Sequence, residues 1–200
     1  MPKSTEDLLL NGFMDLVTER PLDKITVQDI ADYCCVNRNT FYYHYDNIYD
    51  LLEKFFDRQT KSALEFLEEG ESLKNCIKAI VLFALDHHQA AKHLVNSSDR
   101  DLVASYLGHS FTTLLTTYLE EHYEITEDNK EKAEFIIAFY RYAFVGIMMD
   151  VMTKDPEDTP SKLNENPEYY VDLILDTIEH DITDNIIANV AKPLKGAITK

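Results

Sequence analysis

Residues Cys34 to Tyr45 read Cys-Cys-Val-Asn-Arg-Asn-Thr-Phe-Tyr-Tyr-His-Tyr, a run rich in hydrogen-bond donors without one carboxylate. Arg38 carries a guanidinium fork that matches a guanine edge, and Asn39 an amide that can pair with adenine. The hydroxyls of Thr40, Tyr42 and Tyr43 and the imidazole of His44 can donate to phosphate oxygens. This is the chemistry of recognising a nucleic acid. It stands out against the rest of the chain, where 36 Asp and Glu oppose 19 Lys and Arg for a formal charge of -17. Such a field opposes generic attraction to DNA, RNA or anionic membrane, so any contact with nucleic acid must be local.

Other chemistries find no support in the residues. The sequence has no Gly-rich phosphate loop, no G-x-S-x-G elbow and no H-E-x-x-H pair, and it is expected not to be an enzyme. His87, His88 and His93 lie near Asp86 and Cys76, but His88 and His93 are five apart and adjacent histidines diverge on a helix. No metal site and no cofactor are expected. Cys34, Cys35 and Cys76 are odd in number and read as reduced thiols, with Cys34 buried beside a turn. Oxidation there would sit against the donor-rich segment.

Two short helices must position these donors. With 45% hydrophobic residues, only 5 Gly and 6 Pro, and few alternating stretches, the 200-residue composition points to an all-α fold. Ser4 with Asp7 starts a first helix carrying Leu9, Phe13, Leu16 and Val17 inward and ending before Arg20-Pro21. Thr26 with Asp29 caps a second helix whose inward residues are Val27, Ile30, Ala31 and Cys34. Asn37 caps a third from Arg38 to Tyr43, and a fourth runs from Ile48 through Leu67. Ala31, Val36 and Phe41, spaced five and five, supply the small residue and apolar fillers that a helix-turn-helix needs at its angle.

The stretch Thr26 to Asp32, followed by Val36 to Tyr45 and Asn47 to Leu52, closely resembles the N-terminal domain of TetR/AcrR transcriptional regulators over about fifty residues. The resemblance implies phosphate contacts from Thr26, Thr40, Tyr42 and His44, and base-edge contacts from Arg38, Asn39 and Tyr43, with Asn37 at the head of the recognition helix. It implies a helix-turn-helix DNA-binding domain over residues 1–50 and a helical effector-binding and dimerisation domain over residues 51–200. The implied function is a homodimeric regulator, a repressor, on a palindromic double-stranded DNA operator, released by a small-molecule effector. An alternative is a sensing domain that docks a protein partner. Two departures stand out. Cys35 replaces a glycine common among relatives, where a left-handed backbone costs a non-Gly residue roughly 1 to 2 kcal/mol. Ile48 replaces a frequent lysine. Residues 1–56 hold 5 basic and 10 acidic residues, so binding away from the specific site should be weak.

Beyond Ser72 longer helices are predicted over Ser72 to His93, Asp99 to His122, Glu127 to Thr153 and Pro167 to Val190, with a loop over Lys154 to Asn166. Phe135 to Met152 is apolar on nearly every face except Arg141 and Asp150, so it should be covered on several sides. The stripe Val171, Ile174, Ile178 and Ile182, with Gly146 as a close-approach point, suits a homodimer interface. Phe83, Tyr106, Phe111, Tyr118, Phe139 and Tyr142 individually suit a core. Together with Met148 and Met149 they could wall an adaptable cavity for an uncharged or partly cationic effector. Arg141 could instead orient an anion. No uninterrupted apolar stretch reaches the roughly 18 to 20 residues of a membrane span and no signal-peptide core is visible, so a soluble, cytoplasmic chain without membrane partners is expected.

Overall fold

The computed structural model describes residues 4–153 together with Asp172, Asp176, Lys192 and Pro193. Among these residues lie eight α-helices: α1 (Thr5–Glu19), α2 (Val27–Tyr33), α3 (Arg38–His44), α4 (Ile48–Glu68), α5 (Leu73–Asp86), α6 (His88–Val95), α7 (Arg100–His122) and α8 (Lys130–Thr153). A two-residue strand pair, β1 (Tyr123–Glu124) against β2 (Lys192–Pro193), runs antiparallel. The fold is all-α, as the composition predicts. The expected helix Pro167 to Val190, with its apolar stripe, and the loop Lys154 to Asn166 fall outside the described residues, apart from the helical Asp172 and Asp176.

The first four helices start where their capping residues stand. Ser4 Oγ accepts from Asp7 N at 3.0 Å while the Asp7 carboxylate accepts from Ser4 N at 3.2 Å. The same reciprocal box at Thr26 and Asp29 has distances of 3.2 and 2.8 Å. Asn37 and Asn47 cap α3 and α4 through their side-chain oxygens. These bonds satisfy amide protons that a helix cannot pair internally. At the far end of α4, Gly70 takes φ +92°, and the amides of Gly70 and Glu71 return to Leu67 O and Phe66 O. That pattern is a Schellman stop.

The expected single helix Ser72 to His93 is two. His87, at φ -106° and ψ 36°, separates α5 from α6. Its Nδ1 is 3.0 Å from Phe83 O, where it donates, and its ring stacks on Phe83 at 4.2 Å. Neither Gly nor Pro marks the break, which turns α6 so that Ala90, Ala91, Leu94 and Val95 are buried and α6 packs on α1 and α8.

Helix α8 departs from expectation on one face. It is long and apolar enough by length and composition to cross a membrane. Ile136, Tyr140, Phe144, Met148 and Met152 are nonetheless buried in the core, against α7 and its neighbours. The opposite face is open: Phe135 is 70%, Phe139 58% and Tyr142 68% exposed, and a Cβ at Gly146 would meet nothing within 4 Å. The expected cover on several sides is thus incomplete within the described residues of one chain.

Candidate nucleic-acid interface and effector cavity

Helices α1 to α3 form a tripod around Leu9, Phe13, Ile30, Ala31 and Phe41, each 0% exposed. Phe41 is the peg of α3, with Tyr45 beside it at 5.7 Å between ring centres. Ala31 O accepts from Val36 N at 2.9 Å, closing the turn. Cys35 holds the turn at φ +54°, the left-handed conformation that glycine adopts at low cost. Close approach of α1 to the end of α2 relies on Gly12, where an added Cβ would lie 2.3 Å from Cys34 Sγ.

With Phe41 fixed inward, helical geometry turns the donors out. Arg38, Asn39, Tyr42 and Tyr43 are exposed, Tyr43 at 85%, while Thr40 and His44 are half-buried. Arg38 donates to the Tyr42 hydroxyl at 2.7 Å through Nη2 and 3.3 Å through Nε, with its guanidinium 5.2 Å from the ring centre. Arg38 is therefore held against its own helix, and Tyr42 keeps its hydroxyl proton for another acceptor. Asn37 is exposed, but its side-chain oxygen caps α3. Thr26 is exposed too, yet its hydroxyl lies 2.5 Å from the Asp29 carboxylate and spends its proton there. The hydrogen bonds from Thr26, with Arg20 at 3.1 Å, hold the Asp29 carboxyl below its ordinary pKa. Of the phosphate donors expected from the sequence, Thr26 is the one already committed within its own domain.

A second feature lies behind this tripod. A cavity of about 270 Å³ opens among α4 to α8, with Met14 of α1 in its wall. Phe55, Phe56 and Ala63 of α4 line one side, Phe83 of α5 and Ala91 of α6 another, and Phe144, Met148 and Met152 of α8 a third. No lining residue is Lys, Arg, Asp or Glu. The thiol of Cys76, also in the wall, is pushed above its ordinary pKa by burial. Helix α6 ties this region to the tripod: His93 Nδ1 lies 2.7 Å from Val17 O in the last turn of α1, a carbonyl that α1 cannot satisfy internally.

Residues 9–55 match the family model of bacterial regulatory proteins, tetR family, and residues 71–180 match that of a transcriptional regulator C-terminal region. The chain belongs to the TetR family of transcriptional regulators. No curated protein matches its sequence. Among solved structures it is similar to the dihydroxyacetone kinase operon activator DhaS, at 15% identity and TM-score 0.57, covering 86% of this chain and 97% of that one. A transcriptional regulator from Rhodococcus sp. Rha1 is similar at 16% identity and TM-score 0.52, covering 88% and 96%. The fatty acid degradation regulator FadR from Bacillus halodurans follows at 15% and 0.50, covering 93% and 98%. At these identities the likeness is one of fold.

Of the seven residues that the sequence suggested for the effector site of this TetR-family chain, the structure brings one, Phe83, to the cavity. Tyr106 stacks on Phe56 at 5.5 Å, one layer behind the wall. Phe111 is 1% exposed and stacked on Phe144 at 4.5 Å, so it backs a lining residue as core. Tyr118 stacks on His122 instead. Phe139 and Tyr142 lie on the open face of α8, and Arg141 sits 4.4 Å over the Tyr142 ring, lining a separate groove of about 450 Å³ between α7 and α8. The cause is helical phase: Phe144, Met148 and Met152 share one face at intervals of four, and Phe135, Phe139 and Tyr142 fall on another. The missed wall residues include Met14 of α1, Ala91 of α6 and Met152 of α8, and above all those of α4. Their signal was an apolar face wide enough to cover the tripod and still face a second neighbour. Among the described residues no cluster of His, Cys, Asp and Glu could hold a metal.

Proposed function

We propose that this TetR-family regulator is a non-enzymatic repressor that binds a near-palindromic DNA operator as a homodimer and releases it when a small molecule fills the cavity. Residues 1–50 act as the DNA-binding domain and residues 51–200 as the sensing and dimerisation domain. Arg38, Asn39 and Tyr43 read bases, Thr40, Tyr42 and His44 hold phosphates, and Asn37 fixes the head of α3. Thr26 joins them by exchanging its bond to Asp29 for one to phosphate. No metal or cofactor takes part, and the protein works in the cytoplasm. The observation that carries this reading is the exposed, carboxylate-free donor face of α3 around a fully buried Phe41. The open aromatic face of α8 supports the dimer. Two recognition helices must then lie about 34 to 36 Å apart to enter successive major-groove faces.

Release follows from the cavity's walls. Met14 belongs to α1, α4 runs from the tripod into the cavity, and α6 is bonded to α1 through His93. A ligand that fits better in a conformation with a different α1–α6 relation shifts the spacing of the recognition helices and lowers operator affinity. The sign, repression, rests on the family resemblance; a promoter–operator reporter with and without the gene tests it. Selection from random duplex DNA with the purified protein should enrich two inverted half-sites about 10 bp apart or a multiple of that. Recovery of unenriched DNA would overturn the reading. A second reading gives the face of Phe135, Phe139 and Tyr142 to a different protein. Light scattering separates the two, since a monomer at micromolar concentration would favour the protein partner.

A further inference from the structure

Thr60 of α4 and Ser110 of α7 meet in the cavity wall with their hydroxyl oxygens 2.7 Å apart. Thr60 Oγ1 also lies 2.9 Å from Phe56 O, one turn back on its own helix. Each hydroxyl has a single proton and two lone pairs. Both short contacts are favourable only when Thr60 donates to Phe56 O and Ser110 donates to Thr60. The reverse assignment leaves two oxygens 2.9 Å apart with no proton between them. The relay consumes both protons, so Ser110 Oγ can only accept. Thr60 is 8% exposed and Ser110 half-buried; of the other polar wall groups Ser62 and His87 are exposed, Gln59 is half-buried and the Cys76 thiol is buried.

We propose that the cavity takes a neutral ligand with an apolar body and one hydrogen-bond donor, a phenol, alcohol or amide, whose proton Ser110 Oγ accepts. The inference rests on the reading of this cavity as the effector site and adds the ligand's class. A carboxylate is disfavoured: the wall holds no Lys or Arg to pair with it, its one imidazole, His87, is exposed and has Nδ1 committed to Phe83 O, and the relay offers lone pairs instead of a proton. A cation fares no better against a wall with no Asp or Glu. The volume of about 270 Å³ lies at the small end of ligand sites and selects a compact body such as two fused rings. Arg141 plays no part, because it lines the other groove.

Three probes of one shape test the rule on the full chain: 1-naphthol, which donates; 1-methoxynaphthalene, which only accepts; and 1-naphthoate, which is charged at pH 7. The native chain and its hydroxyl variants have no Trp, so naphthalene emission can be followed in them without tryptophan background, and binding to a Trp-bearing variant is read by equilibrium dialysis. The naphthol should bind once per chain, roughly five- to tenfold more tightly than the ether, the ratio expected for one net hydrogen bond. The naphthoate should show no saturable binding in that range. Thr60→Val, which keeps the shape but removes the acceptor of Ser110's proton, should bring the naphthol-to-ether ratio close to one. Ser110→Ala should do the same, and Ala84→Trp should block all binding by filling the cavity. Equal binding of naphthol and ether to the native chain, or an undiminished ratio in both hydroxyl variants, would overturn the donor rule while leaving the cavity as effector site. Failure of all three probes to bind, or naphthol binding unaffected by Ala84→Trp, would overturn the assignment of ligands to this cavity as well.

Discussion

Replacing Gly12 by alanine should destabilise the native chain and stabilise a chain that already carries Cys34→Ala. The added methyl would stand 2.3 Å from Cys34 Sγ and 3.1 Å from Tyr33 Cδ1, against the roughly 3.5 to 4.0 Å of an ordinary contact. Tyr33 is 48% exposed, and the few tenths of an ångström needed there can come from a tilt of its ring that keeps the hydroxyl on Asp15 at 3.0 Å. Cys34 cannot give way: it is buried, and its thiol donates to Leu8 O at 3.4 Å. Overpacking of this kind costs about 1 to 3 kcal/mol. Alanine in place of glycine inside α1 returns up to about 1 kcal/mol of helix propensity. The net loss is then about 1 kcal/mol in the native background. With Cys34→Ala the clash vanishes, only the propensity gain remains, and the sign reverses. Urea unfolding followed by far-UV circular dichroism at one protein concentration would measure both differences. The same effect of Gly12→Ala in both backgrounds would refute the claim that glycine is there to admit the sulfur.

Cys35→Gly should raise stability by about 0.5 to 1 kcal/mol, because the left-handed turn at φ +54° costs cysteine more than the extra unfolded-state freedom costs glycine; unfolding midpoints check it. Tyr45→Phe should be neutral or stabilising by about 1 kcal/mol, since the buried Tyr45 hydroxyl has no hydrogen-bond partner among the described residues. Acid should weaken the fold through the capping boxes. Asp29 titrates below its ordinary 3.8 in the folded chain, so its stabilisation is complete above the unfolded value and is lost as pH falls through the folded one. Asp29→Asn should therefore flatten the decline in urea midpoint below about pH 4.

Local signals in the sequence were strong where one residue governs a backbone bond. Ser4, Thr26, Asn37 and Asn47 each stand at the helix start that their side-chain chemistry dictates, and Ala31 and Phe41 are buried as the helix-turn-helix spacing requires. The break at His87 was not legible, because it depends on a ring stacking on Phe83 and on where α6 must go to reach α1. The cavity was legible only as a surplus of aromatic residues. Which of them face it depends on the rotation of α7 and α8 about their axes. That rotation is set by neighbours distant in sequence, so Phe111 became core, Phe139 became surface, and α4, α5 and α6 supplied much of the wall.

On the proposed reading, the outward face of α3 reads DNA sequence. The most direct test is the ratio of affinities for a selected operator and a scrambled duplex, measured by fluorescence anisotropy at fixed salt for the native chain, Arg38→Ala and Tyr43→Ala. A lost bidentate base contact is worth about 1 to 3 kcal/mol, so the ratio should fall roughly 5- to 150-fold for Arg38→Ala. Affinity for the scrambled duplex should change far less, because that binding comes from phosphate contacts. An Arg38→Ala protein with native operator affinity and an unchanged ratio would contradict the assignment of α3 as the recognition helix.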